Sequence, residues 1–101
     1  VSGNRSEQAL GRLRRKIDRF DGRIMRLLLK RSRAVETVGT VKKMVGLPVI
    51  DRKRESQILS RIDTLRGDAR RKVLLRRVYE CIFRFSCELE KGKRTGDGSG
   101  N

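Results

Sequence analysis

The 101-residue sequence contains no His and no Trp, only three Phe and one Tyr, one Pro and two Cys. Each shortage excludes something. Without His the commonest general base and metal ligand is missing, and with it any Ser-His-Asp triad. Cys81 and Cys87 fall on different faces of one expected helix, so they cannot bridge each other. With no further Cys, neither a zinc site nor a disulfide framework is available, and a reducing cytoplasm is the expected compartment. So few aromatic residues give no stacking platform for single-stranded nucleic acid. No apolar run approaches the roughly 18 residues of a membrane span, and the opening VSGNRSEQ has no signal-peptide core.

Positive charge is what the chain has in excess: 27 Lys and Arg against 12 Asp and Glu, formally +15. Such a balance attracts anions without naming one. Part of it is a stripe in which Arg12, Arg19, Arg26 and Arg33 repeat every seventh residue, with Arg15, Arg23 and Lys30 between them. A solvated, solubilising face accounts for this stripe. The functional alternative is a basic helical binding protein for phosphate backbones, although no nucleic-acid fold signature accompanies it.

The chain reads as all-α. Leu10, Leu13, Ile17, Phe20, Ile24, Leu27, Arg31, Ala34, Val38, Val41 and Val45 step by three and four without a break. That heptad seam predicts one long helix over about 6–44, closed by Gly46 and Pro48. A second helix is expected over 52–66, with Asp51 as N-cap and Ile58, Leu59, Ile62 and Leu65 on its apolar face. A third covers 69–91, with Leu75, Val78, Ile82, Phe85 and Leu89 inward. Residues 1–91 thus form a single helical domain, and the Gly-rich segment 92–101 is expected to be a disordered polar tail. A first helix of about 38 residues is roughly 57 Å long, while a compact 100-residue globule has a radius of gyration of only about 13 Å. A homodimer pairing two such helices would bury the seam that a monomer leaves bare.

Charge interrupts the apolar faces in three places. Arg31 occupies a seam position, and Lys42, three turns on, shares its face. Asp51, Arg54 and Glu55 stand at i, i+3 and i+4 before Ile58 and Leu59. Ser86 and Glu90 continue the row begun by Ile82. Buried charges must be paired. Interhelical salt bridges and a cap would satisfy them, with Glu55 against Lys42. A small polyanion held inside a helical bundle would use the surplus cations as well.

Taken together, LRRKID at 13–18, LLLKRSRAVETVGTVKK at 27–43, LPVIDRKRE at 47–55 and the FSCELE end of the third helix resemble the all-helical class of chorismate mutases. The resemblance covers residues 10–90. It implies an intertwined homodimer of three-helix protomers that rearranges chorismate to prephenate, in aromatic amino-acid biosynthesis, with no cofactor and no metal. It also implies roles. Arg31 would bind one substrate carboxylate, and Arg14 would reach across to the partner subunit's site. Lys42 would sit at the ether oxygen. Asp51 and Glu55 would surround the ring hydroxyl, with Glu55 also positioning Lys42. Arg54 and Ser86 would support the carboxylates. Glu90 stands where many relatives have Gln, and a carboxyl group must carry a proton to donate as that amide does. A rival of the same fold, isochorismate pyruvate lyase, tends to lack the complete Asp-x-x-Arg-Glu block present here as DRKRE.

Overall fold

The computed structural model describes residues 2–92; the expected tail, apart from Gly92, lies outside the described residues. Three α-helices follow one another: α1 (Ser2–Val45), α2 (Arg52–Asp63) and α3 (Ala69–Lys91), and among the described residues there is no strand. The chain divides into two units, residues 1–33 and residues 34–101. The first is the leading part of α1 alone. The second contains the end of α1 with α2 and α3.

Local chemistry places the ends of the helices. Gly46 adopts a φ of 75° and the Leu47 N–H returns to the Lys42 carbonyl at 2.9 Å, the left-handed closure that a glycine beyond a helix permits. Asp51 caps α2, its carboxylate accepting from the Arg54 N–H at 3.0 Å. Asp68 does the same for α3 through the Arg71 N–H at 2.7 Å. Helix α2 stops at Asp63, three residues short of the expected end. Both the N–H and the hydroxyl of Thr64 turn back to the Arg61 carbonyl, at 3.2 and 2.7 Å, which tightens the last turn and closes it. Leu65 therefore lies outside the helix and is exposed, not part of its apolar face.

Helices α2 and α3 pack through Ile62 and Phe83, both buried, with Tyr79 edge-on to Phe83 at a centroid distance of 6.0 Å. Arg76 pairs with Asp63 at 2.7 Å, and Lys72 Nζ caps the Asp63 carbonyl at 3.0 Å, tying the end of α2 to α3. The inward face of α3 differs from the expected one. Ile82, Phe83, Ser86 and Leu89 are withdrawn from solvent, but Val78 and Phe85 are exposed. At 100° per residue, Phe85 stands about 200° from Phe83. The apolar positions of α3 thus belong to two faces, one packed within the chain and one, with Leu74, Val78 and Phe85, uncovered in it. The α1 seam is uncovered too: its large apolar residues from Leu10 to Val45 are 44% to 64% exposed.

Candidate active site

The end of α1 and the end of α3 meet at a pair of opposite charges. Lys42 Nζ donates to Glu90 Oε1 at 2.6 Å and to the Val49 carbonyl at 2.8 Å. Its side chain is 15% exposed and that of Glu90 11%. An ammonium with two fixed acceptors is held in one direction, and a third proton remains for another partner. Adjacent to it, Lys43 Nζ donates to the Lys91 carbonyl at 3.1 Å, so two cations sit at the carbonyl end of α3, where the helix dipole favours them.

Helix α2 contributes Glu55, whose side chain is half-buried and meets Arg52 at 3.4 Å. Glu55 is therefore paired with Arg52, and the partner of Lys42 is Glu90. Ser86 is buried on α3, its hydroxyl donating to the Ile82 carbonyl at 2.7 Å. Asp51 and Arg54 are exposed at the start of α2, with Asp51 engaged as the cap. Arg14 and Arg31 stand on the leading part of α1, Arg14 exposed and Arg31 half-buried.

Two residues join this neighbourhood that no charge pattern singled out. Cys87, one turn before Glu90, is half-buried. Burial pushes its thiol above the ordinary value of 9.0; Glu55 and Glu90 push the same way, while Lys42 and Lys91 oppose them. It is thus a neutral thiol among charges near neutral pH. Val49 takes part through its backbone carbonyl, for which sequence carries no signal. An open groove of about 690 Å³ runs beside these residues, lined by Ile50, Arg52, Glu55, Phe83 and Cys87 among others. A second, of about 360 Å³, borders Thr40, Lys43 and Glu90. Neither groove includes Lys42. The described residues hold no cluster of metal-ligating side chains.

A chemistry follows from this set. A fixed ammonium beside a carboxyl group can bind and stabilise an oxygen on which negative charge grows.

Residues 13–91 match the family described as chorismate mutase type II. A chorismate mutase from Methanocaldococcus jannaschii is 34% identical over 58 residues, which is 57% of this chain and 59% of the relative's length. A solved structure, a conserved hypothetical protein from Pyrococcus furiosus, is similar with a TM-score of 0.66 and 34% identity, covering 81% of this chain and 95% of that one. The family match spans most of the chain, and the likeness to the solved structure agrees with it: the chain belongs to the chorismate mutase type II family.

Proposed function

We propose that the protein is a chorismate mutase, an isomerase that converts chorismate to prephenate by an intramolecular Claisen rearrangement, within aromatic amino-acid biosynthesis in the cytoplasm. The observation that carries this reading is the Lys42 ammonium, fixed between Glu90 and the Val49 carbonyl, in a chain of this family.

The reaction needs restraint and electrostatics, and no cofactor or metal. Chorismate is a dicarboxylate whose enolpyruvyl arm must fold over its ring, and holding it so supplies the orientation term. As the ether C–O bond breaks, negative charge grows on the ether oxygen. Lys42 donates to that oxygen with the proton that Glu90 and Val49 leave available, and Glu90 Oε2, when protonated, donates from the other side. Arg31 binds one carboxylate, and Arg14 of the partner protomer binds the other, with Arg54 and Ser86 in support. Asp51 and Glu55 surround the ring hydroxyl.

This site is completed by a homodimer of intertwined helices. The support is the row of exposed apolar side chains on α1 and the second apolar face of α3, which a single chain leaves in water. The test is to follow the loss of chorismate absorbance with purified protein and to identify the product. Prephenate is the expected result. Salicylate and pyruvate from isochorismate would instead identify a lyase, and no turnover of either would overturn the reading.

A further inference from the structure

A single glycine governs how closely the two charged partners approach. Gly39 lies one turn before Lys42 on α1 and is buried. A Cβ built on it would come within 2.6 Å of the Glu90 carbonyl oxygen, 2.7 Å of its Cα and 3.0 Å of its carbonyl carbon. All three are backbone atoms, which cannot swing aside as the end of a long side chain does. The contrast lies within the same helix. A Cβ at Gly11 or Gly22 would meet only the guanidinium ends of Arg15 or Arg26, at 3.5 and 3.4 Å. Mid-helix glycine is disfavoured by backbone entropy, and only at Gly39 does packing against another helix require it.

The same turn of α1 holds the same turn of α3 at two further points, Lys42 on the Glu90 carboxylate and Lys43 on the Lys91 carbonyl. We propose that Gly39 is a positioning residue: by admitting the backbone of Glu90 against α1, it sets the spacing at which the Glu90 carboxylate meets Lys42 Nζ. An added methyl group moves the last turn of α3 outward by several tenths of an ångström or more and lengthens a 2.6 Å charge-assisted bond. The spacing itself stands on geometry alone; its catalytic consequence rests on the chorismate mutase reading.

Gly39→Ala tests it, with Gly22→Ala as control. The readout independent of turnover is the Lys42 side-chain ammonium signal in a 15N NMR spectrum, which two hydrogen bonds protect from solvent exchange. Gly39→Ala is expected to keep its helix content by circular dichroism yet lose that signal, whereas Gly22→Ala keeps both. In chorismate turnover, Gly39→Ala is expected to lower kcat by roughly a hundredfold, the scale of about a 1 Å misplacement, with KM little changed. Adding Lys42→Ala to it should then cost far less than in the wild type. An unchanged Lys42 signal overturns the proposal. If the wild type shows the signal but makes no prephenate, the functional reading fails while the NMR comparison still decides the role of Gly39. Should Gly39→Ala not fold, Glu90→Asp decides. With the α3 backbone pinned, an acid one methylene shorter cannot reach, so the Lys42 signal should vanish as fully as in Glu90→Ala. Its survival in Glu90→Asp overturns the pinning.

Discussion

Lys42 Nζ and Glu90 Oε1 stand 2.6 Å apart although their residues are 48 positions apart in the chain. Both side chains are largely withdrawn from water, so each charge depends on the other. The pair joins the end of α1 to the end of α3 and fixes the direction of the ammonium.

In the proposed reaction, replacing Lys42 by Ala removes a donor from the developing negative charge. The expected loss is about 3–4 kcal/mol of transition-state stabilisation, a reduction in kcat of roughly 10²–10³. Steady-state turnover of chorismate measures it, and a variant with near-full kcat would remove Lys42 from the mechanism.

Glu90→Gln keeps an acceptor for Lys42 and brings an amide donor, so in the proposed reaction it should retain turnover, whereas Glu90→Ala should lose it. Steady-state kcat of the two variants checks this.

The Cys87 thiol predicts a different pH effect, on stability. Its folded-state pKa is raised above 9.0 by burial, then by Glu55 and Glu90, against the opposing Lys42 and Lys91. A group of this kind contributes stability that is fully present below its unfolded pKa and is lost as pH rises through the folded value. Above pH 9.0 the urea midpoint of the wild type should accordingly fall more steeply than that of Cys87→Ser. Equal slopes would mean that the thiol is not held neutral.

At the start of α2, Asp51→Ala should cost about 1 kcal/mol of stability through loss of the cap on the Arg54 N–H, whereas Asp51→Asn retains the cap. Denaturant midpoints separate the two. A loss of turnover in Asp51→Asn at unchanged stability would place Asp51 at the substrate as well as at the helix end.

Association should depend on the α1 seam. Ile17→Glu or Ile24→Glu puts an unpaired charge where the proposed dimer would bring two apolar faces together, at a cost of about 3–5 kcal/mol for each one buried. Sedimentation should show two chains together in the wild type and single chains in the variants. A wild type that sediments as one chain would remove the partner's Arg14 from the proposed site.

Much of the architecture is local and was therefore legible. The unbroken three-four stepping of α1, Gly46 behind it and Asp51 ahead of α2 act within a few residues, and period and capping chemistry suffice to place them. The α3 face departs from expectation at Val78 and Phe85 for the opposite reason: a helix with two apolar faces has one periodicity, and only packing selects the side on which Phe83 and Ser86 are buried. The candidate site divides in the same way. Which residues carry charge on apolar stripes, Lys42, Glu55 and Glu90 among them, is written in side-chain type and spacing. Helix packing alone brings Lys42 to Glu90 and lays Gly39 against the backbone of Glu90. These are distances between segments remote in the chain, and no local pattern encodes them.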